Sequence, residues 1–148
     1  MKVDDLKGIL SLHAKWLAGE PGGARADMTN ADLSDADLRL ENLTRAKLSG
    51  AMMIGADLNG ANLTNADLNG ANLTFANLSG AKLIRAMLIK ATLIKAKLIG
   101  ATLNGADLTH ADLNGANLNK ADLSRAMMIG ADLNGANLTN TNLEDAYR

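Results

Sequence analysis

The sequence predicts an all-β fold: a four-sided solenoid of stacked parallel coils behind a short N-terminal capping α-helix. Three observations predict it. From Ala26 to Asp145 the 148-residue chain reads in units of five (ADMTN, ADLSD, ADLRL and onward), twenty-four in all without insertion or deletion. The middle place of a unit is Leu in 21 of them and Met in the other three, Met28, Met53 and Met128. Two places earlier stands Ala in 22 units, with Glu41 and Thr141 the exceptions, and all ten glycines of the repeats fall in the last place.

Side chains two apart on an extended backbone point to one face, so Ala and Leu face inward together. The apolar spacing is 2 and then 3, and the extra residue demands a turn in every unit. Gly, Asn and Asp, which tolerate unusual dihedrals or bond the local backbone, stand near that turn. A helix fails, because a period of five at 100° per residue would wind the Leu stripe around its axis. Four short sides and four corners make a coil of twenty residues. About six such coils, stacked about 4.8 Å apart, give a rod roughly 29 Å long. Residues 25–148 form this solenoid, and residues 1–24 a helix with a Gly-rich connection.

For the helix, Asp4 is the expected N-cap and Gly19 the C′ residue, with Pro21 beyond it. Leu6, Leu10, Ala14 and Leu17 are spaced for one apolar face, bordered by Ile9, His13 and Trp16. This helix should lie on the first coil with Trp16 partly buried. The other end has no matching cover, since only five residues follow Leu143. A second copy of the chain is the expected cover, giving a homodimer through Leu138, Leu143 and Tyr147 about a two-fold axis. The alternative is that Tyr147 folds over that end.

Composition narrows the function. Net charge is −1, aromatics are 2% of the chain and cysteine is absent, which removes a thiolate nucleophile, a thiolate metal site and a disulfide framework. The hydroxyls lie on flat sides, and the two histidines read as a helix residue (His13) and an exposed corner residue (His110). No enzyme, catalytic residue or cofactor is therefore expected. Asp37 above Asp57, and Asp112 above Asp132, make flat columns of two carboxylates rather than a cation cage. Before each Leu, Asp and Asn serve better as acceptors for the turn backbone. No apolar run is long enough to span a membrane and no leader is evident, so a cytoplasmic location is expected.

Residues 81–100, AKLIRAMLIKATLIKAKLIG, depart from the rest. Their charge is +5, against −3 for residues 25–80 and −3 for 101–148. Basic Lys82, Arg85, Lys90, Lys95 and Lys97 alternate there with apolar Ile84, Met87, Ile89, Ile94 and Ile99. Such a basic, apolar girdle reads either as a protein-binding patch or as β-branched reinforcement of the ladder. Met127 and Ile129 fall on the same side as Met87 and Ile89, two coils away. Nucleic acid is not the expected ligand: five cations spread around four sides cannot reach one duplex, and no stacking platform exists.

The A-[DN]-L-x-x units of residues 26–145 resemble the pentapeptide-repeat proteins. That resemblance implies a right-handed quadrilateral parallel β-helix with Ala and Leu inside. It also suggests an alternative function, DNA mimicry that inhibits DNA gyrase or relieves its quinolone poisoning. Charge opposes the alternative. Matching duplex DNA over about 29 Å needs roughly 17 net negative charges, whereas residues 25–148 carry 13 acids against 12 bases. The relatives directed at gyrase typically carry core aromatics and projecting loops, which this chain lacks. The expected function is thus a non-enzymatic interaction or scaffold protein with an unidentified protein partner.

Overall fold

The computed structural model describes residues 3–148, with side chains from Asp5 onward. Parallel bridges join each residue before the central Leu or Met to its counterpart twenty residues on, from Asp27↔Lys47 through Met127↔Tyr147. The sides are shorter than expected. Each carries a single bridged residue rather than a strand, because the corner takes up most of a five-residue unit.

One interior unit shows how the backbone is satisfied. Asp57 N–H donates to the Ala36 carbonyl below (2.9 Å), while Leu58 and Gly60 donate to Asn77 and Ser79 above (2.7 and 2.9 Å). Ala56 closes the turn onto the Met53 carbonyl (3.1 Å). Asn59 N–H is taken by Asp57 Oδ1 at 3.0 Å. All five donors thus have partners, which the near-absence of solvent inside the rod requires. The acceptor role expected of Asp and Asn recurs along the chain, as in Ser34 N–H to Asp32 Oδ1 (3.1 Å) and Thr64 N–H to Asn62 Oδ1 (3.1 Å).

The last place of every unit has positive φ, between 52° and 68°. With the Leu carbonyl accepting from the residue three on, this is the φ signature of a type II turn. Glycine takes it without steric cost. Fourteen other residues, from Asn30 to Asp145, are held there by the bonds on either side.

Inside, Leu and Ala are sealed from water: Ala56, Leu58, Ala61 and Leu63, among many others, are 0% exposed. Burial falls off at the C-terminal end, where Leu133, Leu138 and Leu143 are only partly buried. The N–H groups of these three leucines, and of the corners Gly135, Asn140 and Asp145, have no partner among the described residues.

Helix α1 (Val3–Ala18) precedes the coils. Its start at Val3 puts Asp4 inside the first turn rather than at the N-cap, and the Asp4 side chain lies outside the described residues. The C-terminus follows expectation: Gly19 has φ 70°, Gly19 N–H meets the Trp16 carbonyl (3.1 Å), and Glu20 N–H meets that of Lys15 (2.9 Å). These two bonds form a Schellman motif. Gly23 then passes so close to the helix that a Cβ would strike the Trp16 backbone.

The buried face of α1 is rotated from the expected one. Leu6 and His13 are buried, Ile9, Leu10, Trp16 and Leu17 are partly so, and Ala14 faces solvent. His13 takes the centre because its Nδ1 accepts the Ala26 N–H of the first unit at 3.1 Å. Trp16 stacks on the His13 ring (centroids 5.5 Å apart, planes 15° apart), partly buried as expected.

Candidate interaction surfaces

A twenty-residue period assigns each outer residue to one of four sides or corners. The ten girdle residues are divided among all of them. Lys82 and Ile84 share one side, with Arg85 at the following corner; Met87 and Ile89 are on the next side, with Lys90 beyond. Ile94 and Lys95 follow, and then Lys97 and Ile99. A partner lying flat on one side touches at most a few of them. Met87 and Ile99 are exposed (40% and 39%), whereas Ile84, Ile89 and Ile94 are half-buried between neighbours above and below. Ile89 N–H donates to Asn69 Oδ1 in the coil below (2.9 Å). Lys95 lies over the Phe75 ring, 5.8 Å from its centroid.

Met127 and Ile129 stand on the side of Met87 and Ile89, exposed at 41% and 53%, with one polar coil (Asp107, Thr109) between. At the C-terminal end, Tyr147 is 63% exposed and bridged to Met127, so it does not fold over the open leucines.

Both stacked carboxylate pairs are spanned by a donor. Arg39 binds Asp37 (2.6 Å) and approaches Asp57 (3.9 Å). Asn114 Nδ2 reaches Asp112 Oδ1 (2.7 Å) and Asp132 Oδ2 (2.8 Å). The Arg39 hydrogen bonds hold Asp37 down to about 2. Asp27 is also held to about 2, first by the Thr29 hydroxyl and then by Lys47, which pairs with it at 3.0 Å. These carboxylates are anchored within the ladder. The histidines are far apart in role: His13 is buried and His110 exposed on a corner over Gly130.

One cluster is invisible to a reading by segments. Arg25, Arg45, Arg85 and Arg125 are separated by multiples of twenty residues and therefore share one corner, with Asn65 and Gly105 in the gaps. All four are exposed, and none pairs with a carboxylate among the described residues. Arg25 Nε donates to the Arg45 carbonyl, laying its side chain along the corner. Trp16, Arg25, Arg45, Asn65 and Arg85 line one open groove. Every twentieth residue, read as a column, carries the signal.

The family model for pentapeptide repeats matches in eight copies, over residues 26–65, 42–80, 66–105 and 106–145. Among curated protein sequences none matches. Among solved structures, HetL, a pentapeptide repeat protein involved in heterocyst differentiation regulation from the cyanobacterium Nostoc sp. strain PCC 7120, is 33% identical. That match covers 84% of this chain and 70% of HetL, with a TM-score of 0.33. A pentapeptide repeat protein of the Arabidopsis thaliana thylakoid lumen is 25% identical over 70% of this chain and 65% of its own (TM-score 0.42). QnrB1, a plasmid-mediated fluoroquinolone resistance protein, is 22% identical over 80% of each chain (TM-score 0.36). Because the family model matches across residues 26–145, most of the chain, the protein belongs to the pentapeptide repeat family, whose members form right-handed quadrilateral β-helices.

Proposed function

We propose that this protein is a non-enzymatic scaffold that presents flat, rigid sides to a protein partner, with α1 capping one end of about six coils. One observation carries this reading: Met87, Ile99, Met127 and Ile129 point outward on sides that the fold leaves flat, although the core needs none of them. The girdle from Lys82 to Ile99 supplies the mixed basic and apolar chemistry. A partner on a single side engages its Met87–Ile89 portion together with Met127 and Ile129. The half-open leucines at the other end support a homodimer through Leu138, Leu143 and Tyr147, since a second copy there would cover apolar surface and offer partners to the free N–H groups.

Met87→Ser combined with Ile129→Ser, two exposed residues of one side, tests the reading. The expected outcome is loss of partner capture from the source cell, with the melting temperature nearly unchanged. A sharp fall in melting temperature with every interaction retained would show that these residues only reinforce the ladder. In a gyrase supercoiling assay the wild-type protein should be inert at low micromolar concentration, because its surface alternates acids and bases rather than imitating a polyanion. Inhibition or quinolone protection there would favour DNA mimicry instead.

A further inference from the structure

At Arg45, Arg85 and Arg125 the corner has no structural task that requires an arginine side chain. Positive φ is the only demand the turn makes there, and Gly105 and Asn65 meet it on the same corner. Guanidiniums stacked one or two coils apart repel one another, and no carboxylate of the described chain neutralises them. Contrast Lys47, paired with Asp27, and Arg39, paired with Asp37. The gap at Gly105 leaves room for the Arg85 side chain, whose Cγ would lie 3.6 Å from a Cβ built there. The column is thus nearly continuous over five coil spacings, about 24 Å.

We propose that this corner binds an extended acidic segment of a partner protein, carboxylate to guanidinium, along the length of the rod. The proposal rests on the reading of the chain as a protein-binding scaffold and names the chemistry of its partner. The shape of the site sets the ligand. The cationic strip is one residue wide, and Asp27, Asp67 and Asp107 begin two residues past it on the next side. A duplex would lay phosphates over those acids, whereas a single extended strand stays on the corner. Carboxylates on one face of an extended peptide recur about every 7 Å, so about four of them span the column. The long arginine side chains absorb the mismatch with the coil spacing, and each planar fork suits a carboxylate. Trp16 stands only at the N-terminal end of the groove, so successive bases of a single-stranded nucleic acid would find no platform along it.

Fluorescence anisotropy with a labelled octapeptide of alternating Glu and Ser tests this. The edge variant is Arg45→Gln, Arg85→Gln and Arg125→Gln; the control is Lys7→Gln, Lys15→Gln and Lys120→Gln, which removes equal charge away from both the corner and the girdle. The edge variant should weaken binding by about tenfold or more and the control by less than about twofold, since guanidinium–carboxylate forks outlast general attraction. All six sites are exposed, and unchanged circular dichroism of both proteins confirms folding. The single change Arg85→Gln, expected to weaken binding detectably by itself, serves if the triple variant is unstable. Equal losses in both variants, no loss in either, or no binding by the wild type would overturn the proposal. Tighter binding of an eight-nucleotide oligothymidylate would overturn the choice of ligand. If the octapeptide fails while Met87→Ser with Ile129→Ser still abolishes partner capture, the corner site falls and the scaffold reading stands.

Discussion

Leu78→Asp splits the rod: its single melting transition is replaced by early loss of the central coils. Leu78 is 0% exposed, among inward Leu and Ala that offer no polar partner. An unpaired carboxylate there costs on the order of 3–5 kcal/mol, comparable with the whole stability of a modest domain, about 5–15 kcal/mol. Coils contact only their neighbours, so the damage is local at first and then uncouples the two halves. The same change at Leu138 meets a half-open site, and should lower the melting temperature far less. In the proposed homodimer its larger effect should be on assembly, shifting the sedimentation coefficient from dimer to monomer. A wild-type monomer at micromolar concentration would refute the dimer. A single unshifted transition in Leu78→Asp would refute the dry core.

Acidification should loosen α1 before it melts the coils. His13 is fully buried and accepts the Ala26 N–H through Nδ1, so its proton resides on Nε2 and the ring is neutral. Burial pushes its pKa below the usual 6.5; the Thr44 backbone opposes this, and the Arg25 charge adds to it. A protonated Nδ1 could no longer accept that bond. The unfolded chain takes up a proton near pH 6.5 that the folded chain refuses. The His13 contribution is therefore fully present above that pH and declines as pH falls through the interval down to the lowered folded value. Asp27 and Asp37, held to about 2, act in a separate window: their stabilisation is present above their usual 3.8 and is lost as pH falls toward 2. Between pH 7.5 and 5, the melting temperature should fall and Trp16 emission should shift to the red. His13→Gln should remove most of that dependence. A melting temperature that rises on acidification in this range would contradict the assignment.

Much of this architecture was legible because the core repeats one demand twenty-four times. Leu and Ala in fixed places reveal the inward direction, and Asp or Asn before the Leu reveals where the turn N–H goes. The buried face of α1 turns toward His13 and away from Ala14, and hydrophobic spacing cannot see a histidine buried for its acceptor. The girdle was legible as composition, yet a segment one coil long encircles the rod. A binding face needs residues twenty apart, and windows of consecutive residues average that column away. Arg85 shows only as part of the girdle, and Arg25, Arg45 and Arg125 stand in stretches of ordinary charge, so their shared corner shows only when residues twenty apart are aligned. The outward position of Tyr147 depends on its pairing with Met127, which no local spacing reveals.

The pairing of each residue with the one twenty places on supports every surface described above, and pulsed dipolar spectroscopy measures it directly. The chain has no cysteine, so Thr29→Cys with Thr109→Cys places two nitroxides on one side, eighty residues apart. Four coil spacings predict a narrow distribution centred near about 19 Å, broadened only by the label arms. A centre beyond about 30 Å, or a broad distribution, would contradict the stacked twenty-residue coil, since eighty residues of α-helix alone would span about 120 Å.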